Sequence, residues 1–336
     1  QDLEHYIRSA VQVAEDTPIL IDRFLEDAFE MDVDCVSDGE DVRIAAIMEQ
    51  IELAGVHSGD SACVIPTAMV SEEALETLRR YTRILARELH TVGCLNVQYA
   101  MKDGVVYVLE ANPRASRTVP YVSKATGISW VRVACQIISG KRLAEMNIPD
   151  EPLLEGHFCK EVVLPFIKFP NEPAVLGPEM RSTGEVMGMD RSFGMAFAKA
   201  QMAAGNALPA SGTVFLSVND RDKRNLLPIA QELHQMGFAL RATAGTAAFL
   251  RAAGLPVTTV LKVSEGRPNG VDMIINGDID LVINTPLGGR SFSDEHALRQ
   301  AAIAHGVPVL TTLSAAHAAT QAIAALRAGR LEVTSL

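Results

Sequence analysis

The five cysteines (Cys35, Cys63, Cys94, Cys135, Cys159) form no CxxC pair, and the eight histidines show no HExxH or other zinc-type spacing. Neither a zinc site nor a disulfide framework is therefore encoded, and the thiols are expected to be reduced and mostly buried. Apolar runs never approach the ~18 to 20 residues of a membrane span, and no signal-peptide pattern opens the chain, so no membrane partner and a cytoplasmic location are expected. Positive charge is short: 30 Lys and Arg stand against 41 Asp and Glu, a formal charge of -11. That sign is wrong for gripping a phosphate backbone, and nucleic acid is not an expected partner. Polar low-complexity tracts, the mark of disorder, are missing too.

What is present is a globular balance, 48% hydrophobic and 21% charged over 336 residues, enough for two compact units. The chain opens on Gln1 rather than Met, inside an amphipathic pattern (Leu3, Ile7, Ala10, Val11, Ala14), and a fragment is the expectation. "TPILIDRF", "AFEMDVDCVSD" and "VRIAAIMEQIE" read as strands from their β-branched and aromatic content. Ser71 is placed to cap a helix with Glu72 and Glu73 in its first turn and Leu75, Leu78, Thr82, Leu85 and Leu89 on one face. Two strands follow, "CLNVQYA" and "VVYVLEA", joined by "MKDG". Residues 141–205 read as irregular up to a helix from Phe193 to Ala204, and "AAGNALPASGT" reads as a linker. Beyond it strands ("TVFLSV", "FALRAT", "VTTVLKV", "DLVINT", "VPVLTT") alternate with helices, which predicts an α/β unit with a doubly wound five-stranded parallel sheet. The expected division is 1–205 and 206–336.

The stretch "LEANPRAS" (109–116) ends a strand with a carboxylate, a carboxamide and an arginine. Glu110 and Asn112 are two apart and share a strand face. A two-residue Asp103-Gly104 turn would set Gln98 opposite Leu109, on the other face from Glu110. A three-residue loop, Lys102 to Gly104, with Gly104 in the left-handed region would instead place Gln98 against Val108 and diagonal to Glu110, and that bulged loop is the expectation. Together the three side chains make a hard-oxygen set suited to Mg2+ or Mn2+ held jointly with phosphates. Arg114 and Arg117 add forks for phosphoryl or carboxylate groups. The alternative is a plain strand-ending Asn-Pro turn beside a solvated Glu–Arg pair.

"GVHSGDSAC" (55–63), "NVQYA" (96–100), "LEANPRASRTVPYVSKATG" (109–127) and "KEVVLPFIKFPNEPAVLGPEMRSTGEVMG" (160–188) resemble the second synthetase half of carbamoyl phosphate synthase large subunits, an ATP-grasp family, and the likeness runs along the whole chain. The resemblance implies a partial ATP-grasp α+β module, then a methylglyoxal synthase-like allosteric domain. It implies MgATP-dependent phosphorylation of carbamate to carbamoyl phosphate, for pyrimidine and arginine biosynthesis. Metal ligands carried over are Gln98, Glu110 and Asn112, the trio the strand argument reached. Nucleotide contacts fall on Arg23, Leu25, Glu30, Gly55, Val56, His57 and Ser58, with Gln98 and Glu110 reaching ATP through the metal, and Arg114 and Arg117 would act on the transferring group. Because carbamate is already an anionic nucleophile, alignment and charge neutralisation matter more than a general base. Implied partners are the glutamine amidotransferase small subunit and the rest of the large subunit. The glycine-rich phosphate-covering loop of such enzymes would lie upstream of Gln1, so these residues alone are expected to be inefficient.

In the second unit, "RATAGTAAF" sets Thr243, Gly245 and Thr246 where a strand meets a helix, a cradle for an anion, with Lys223, Lys262 and "NTPLGGR" adding charge and open backbone. Tight βα connections alone would also explain the small residues. Methylglyoxal synthases use aspartates near the equivalents of "PNG" (268–270) and "NTPLGG" (284–289), where no Asp stands, so a binder is expected rather than a catalyst. The resemblance implies an effector pocket for UMP or IMP at Ser217, Lys223, Thr243, Thr246, Lys262, Asn284, Thr285 and Asp294. Glu52, Asp60 and Glu161 match the acidic side of the family's ornithine site. Val309 and Leu310 replace its Tyr-Asp pair, leaving Thr311, so ornithine activation is not expected. The competing reading is a stand-alone regulatory nucleotide-binding module.

Overall fold

The computed structural model describes residues 25, 28–168, 176–177, 179–285 and 292–333. The expected N-terminal helix, the "TPILIDRF" strand and Arg23 lie outside the described residues, as does the side chain of Asp294.

The first sheet is antiparallel and grows around β1 (Phe29–Asp38), whose neighbours are β2 (Val42–Leu53) and β4 (Val92–Lys102). Strands β3 (Cys63–Ile65) and β5 (Val105–Asn112) extend it to either side. The stretch read as irregular contains two further strands, β6 (His157–Val163) and β7 (Gly184–Asp190), completing the order β5-β4-β1-β2-β3-β6-β7. Their pairing with each other and with β3 is non-local, which a linear reading of Pro- and Gly-rich text does not expose.

β1 divides its side chains by alternation. Met31, Val33 and Cys35 enter a buried cluster with Leu78, while Glu30, Asp32 and Asp34 point to the opposite face. Helix α1 (Glu72–Glu88) covers the apolar side. Ser71 Oγ caps it by accepting from Ala74 N at 3.3 Å, and the helix buries Ala74, Leu78, Thr82 and Ala86. Leu89, expected on that face, is 48% exposed because the helix stops at Glu88. On the other face, α2 (Val119–Thr126) and α3 (Trp130–Ile138) bury Trp130, Val122 and Ile137 against Val36 and Met48.

The chain crosses to the second sheet through α4 (Phe193–Ala203). The second sheet is parallel, with β8 (Thr213–Val218), β9 (Ala239–Thr243), β10 (Val257–Val260), β11 (Leu281–Thr285) and β12 (Val309–Leu310) in the order β10-β9-β8-β11-β12. Helices α5 (Lys223–Gln235), α6 (Ala244–Ala252) and α9 (Leu313–Ala328) lie on one face; α7 (Gly270–Ile275) and α8 (Phe292–Ala304) lie on the other. This is the expected doubly wound unit. Two strands are shorter than read: β10 stops at Val260, and Glu265 Oε2 then accepts from Lys262 N at 2.9 Å in a 3-10 turn. β12 stops at Leu310 because Thr312 caps α9, its hydroxyl accepting from Ala315 N at 3.1 Å.

The two sheets share one apolar cluster. Ile51, Val64, Cys159 and Phe197 from the first part pack with Leu216, Ile283 and Ile323 from the second. Helix α4 meets α9 closely at Gly194, where an added Cβ would stand 2.6 Å from the Gln321 carbonyl oxygen.

Candidate functional site

The β4–β5 connection corrects the expected loop. Lys102 pairs with Val105, so the turn has two central residues, Asp103 (φ 51) and Gly104 (φ 76), both left-handed as a type I′ turn requires. The extra residue sits further along: Tyr99 pairs with Val108, the register shifts, and Gln98 pairs with Glu110. Leu109 is thus the odd residue of a bulge, and it moves Glu110 onto the face of Gln98. Asn96 then pairs with Asn112.

The trio therefore stands together for a different local reason than expected. Asn112 Nδ2 donates to Glu110 Oε1 at 2.7 Å, and Gln98 Nε2 donates to Ser58 Oγ at 3.0 Å. Both carboxamide N–H groups are turned to protein acceptors, which frees amide oxygens for other use. The second contact also unites the "GVHSG" loop with the strand pair. His57 starts the 3-10 turn of 58–60, its Nδ1 accepting from Gly59 N at 3.0 Å, and Arg117 Nη1 would stand 3.2 Å from a Cβ on Gly59. Gly55 has φ 112 and leads into Val56, which bridges Ala54. Leu25 is partly exposed, and the structure gives it no polar partner.

Behind the trio lies a row of acids that the sequence reading passed over except for Glu30. Burial, then the charge of Glu110, pushes Glu30 up to about 7. Burial and the charges of Asp34 and Glu30 push Asp32 up to about 7, although Gln50 Nε2 donates to it. Burial also raises Asp34, which accepts from Asn96 Nδ2 at 2.9 Å, Ser116 Oγ at 2.8 Å and Thr118 Oγ1 at 2.6 Å. Asp34 thereby pins the loop that carries Arg114 and Arg117. The signal for these acids was the "EMDVD" alternation, charges at every second position of an otherwise apolar strand.

Among the described residues, no three His, Cys, Asp or Glu converge as a metal cage. A cation here would take one carboxylate and two amide oxygens, with the remaining positions left to phosphate or water, the pattern of Mg2+ rather than of an all-protein cage. The charge of Glu110 helps to raise Glu30, and the donor set fits a divalent cation.

Glu52, Asp60 and Glu161 gather elsewhere. Asp60 is committed to backbone, accepting from Arg181 N at 2.7 Å and Ser182 N at 2.8 Å. Glu52 accepts from Ser61 Oγ at 2.6 Å and Ala62 N at 2.7 Å. Burial and the neighbouring charge of Glu52 push Glu161 up to about 8.

In the second unit, a cavity of about 650 Å³ opens at the carboxyl ends of β8, β9 and β11, where the strand order reverses about β8. Ser217, Lys223, Thr243 and Thr246 line it, and so do Lys262, Asn284 and Thr285, every expected effector residue whose side chain is described. Helix α6 begins at Ala244, two residues before the expected start, with no side-chain cap from Thr243, and its first-turn residues Gly245 and Thr246 line the cavity. Lys223 Nζ would be 3.2 Å from a Cβ on Gly245, and Asn284 Oδ1 is buried without a partner. Asn219 and Asp220 also line the cavity and were missed; Asp220 Oδ1 holds Lys223 Nζ at 2.5 Å.

Residues 1–146 match the family "Carbamoyl-phosphate synthase L chain, ATP binding domain", and residues 225–311 match "MGS-like domain". The carbamoyl phosphate synthase large chain of Gemmatimonas aurantiaca is 54% identical over 99% of this chain and 30% of its own length. The "Carbamoyl phosphate synthase large chain, C-terminal section" of Methanocaldococcus jannaschii is 51% identical over 100% of this chain and 56% of its own length. The chain thus spans about a third of the full-length relatives it matches. Among solved structures, the biotin carboxylase domain of a thermophilic 2-oxoglutarate carboxylase bound to bicarbonate superimposes with a TM-score of 0.47 at 13% identity, over 59% of this chain and 51% of that one.

Proposed function

From the premise that this chain belongs to the carbamoyl phosphate synthase large-chain family, we propose that it is the carbamate-phosphorylating part of such a large chain, followed by a nucleotide-sensing unit. The observation that carries the reading is the pairing of Gln98 with Glu110, with Asn112 on the same face. Gln98, Glu110 and Asn112 would hold Mg2+ or Mn2+ with the phosphates of ATP. When bound, that cation neutralises charge building on the transferred phosphoryl group. The chain's own residues do the rest. Asp34 fixes the 114–118 loop through Ser116 and Thr118, so that Arg114 and Arg117 approach the site from a set direction. Glu30, held up at about 7, is placed for a hydroxyl-bearing ligand such as a ribose, because a protonated carboxyl donates as well as accepts.

The larger cavity of the second unit supports a regulatory reading. Hydroxyls, an uncapped helix start and two lysines suit a phosphate, and the volume suits a nucleoside monophosphate such as UMP or IMP. The units are read as 1–205 and 206–336, and the partners as the remainder of the large subunit and a glutamine-hydrolysing small subunit. The family and the chain's share of it support both. The deciding assay is ATP formation from ADP and carbamoyl phosphate by the parent polypeptide, with UMP titrated in. Activity that survives Glu110→Ala would move the chemistry elsewhere and leave a regulatory module.

A further inference from the structure

A cavity of about 220 Å³ lies between the two sheets, apart from both sites above. It is walled by Glu49 on β2, by Phe29 and His157 at strand ends, by Phe193 on α4, and by His317 and Gln321 on α9. Strands and α4 of the first unit and α9 of the second therefore line it. At ~30 Å³ per water it holds roughly seven waters or one small molecule.

Among the described residues Glu49 is the single acid on the lining, no described Lys or Arg accompanies it, and it is 3% exposed. Its Oε2 accepts from Ala68 N at 2.7 Å and Met69 N at 2.8 Å, while Oε1 accepts from no described residue. Of the other polar side chains on the lining, His157 Nδ1 lies 3.3 Å from the Arg191 carbonyl, His317 shares a 2.8 Å hydrogen bond with Gln321, and Gln50 Oε1 is buried with no partner among the described residues. A buried carboxylate with one open oxygen calls for a donor, and preferably a positive one. The rings of Phe29 and Phe193 suit the hydrocarbon part of such a molecule and favour a cation electrostatically.

We propose that this cavity binds a small organic cation, its ammonium group on Glu49 Oε1 and its hydrocarbon part against Phe29 and Phe193. The site is separate from the Glu52–Glu161 pair, whose carboxylates are turned to Ser61, Ala62, Val162 and Gln201. Because both units supply walls, occupancy would hold α9 against the first sheet.

The test is calorimetric titration of the full chain with n-butylammonium chloride, 1-butanol and sodium butyrate at one ionic strength. The expected result is binding of the ammonium at least about tenfold tighter than either other probe, since only it meets the carboxylate with charge. Glu49→Gln keeps an oxygen for the Ala68 and Met69 N–H groups, so the fold should persist, and it should weaken ammonium binding about tenfold or more. Glu161→Gln should leave that binding unchanged. Absence of binding, equal binding of the three probes, or loss in Glu161→Gln instead of Glu49→Gln would each overturn the proposal. Should Glu49→Gln lose its cooperative melt, Ala318→Leu, which fills the cavity from α9, takes its place: lost binding supports the site and retained binding refutes it.

Discussion

Gln98 and Glu110 are direct partners across the β4–β5 ladder, and a single extra residue, Leu109, puts them on one face. Inserting one alanine after Leu109 should give a regular ladder in which Glu110 faces Asn96 instead of Gln98, and should abolish the proposed phosphoryl transfer. Deleting Leu109 should regularise the ladder and keep the pair together. The two variants, compared by ATP formation from ADP and carbamoyl phosphate, separate register from composition; equal activity in both would sink the argument.

Glu110→Ala should lower that same activity by ~10²-fold or more, because the proposed anionic ligand is lost from an exposed position without disturbing the core. Glu110→Gln should also bring Glu30 down from about 7 toward the ordinary carboxylate range. Removing a nearby negative charge eases ionisation, while burial keeps part of the rise. Carbon-13 titration of the Glu30 carboxyl reads this directly, and an unmoved midpoint would contradict it.

Glu161 carries a pH signature for stability. Its native value of about 8 lies above the ordinary carboxylate value of 4.5, so the native state holds a proton that the unfolded chain releases first. The resulting stabilisation is fully present below about 4.5 and is lost as pH rises through about 8, with a slope of at most about 1.4 kcal/mol per pH unit for one proton. Urea midpoints measured across this window should fall with rising pH, and Glu161→Gln should flatten the trend.

Lys223→Met should weaken UMP binding about tenfold or more while leaving phosphoryl transfer without effector intact, since the side chain stands at the uncapped start of α6 and far in sequence from the trio. Equilibrium dialysis with UMP is the check; unchanged affinity would remove the phosphate from this end of the cavity.

Gly194→Ala should cost roughly 1–3 kcal/mol, because its methyl group would meet the Gln321 carbonyl at 2.6 Å, a backbone atom that cannot rotate away. Chemical denaturation of wild type and variant measures it. A neutral result would mean that α4 and α9 separate without cost.

Much of this was legible in the sequence wherever the signal was local. The strand composition of β1, the Ser71 cap and the βα repeats of the second sheet each depend on residues within a few positions, and all appear in the structure. Strands β3, β6 and β7 were not legible, since what makes them strands is pairing with distant partners. The trio was found, but its register was reasoned from the turn, whereas the turn is regular and the irregularity lies at Leu109. Asp34 was missed because its role is to hold Ser116 and Thr118, more than eighty positions away, and no pattern near Asp34 announces that bond.

The shared cluster of Ile51, Val64, Cys159 and Phe197 with Leu216, Ile283 and Ile323 bears on how such a chain can be taken apart. A cut at the linker would leave α4 and α9 each with a naked apolar flank, so neither half should dissolve well when expressed alone. Grafting a foreign second unit onto residues 1–205 would have to bring the matching surface of α4 along with it. The two parts inherit one another's sequence constraints, and the seam between them is a place where recombination is penalised.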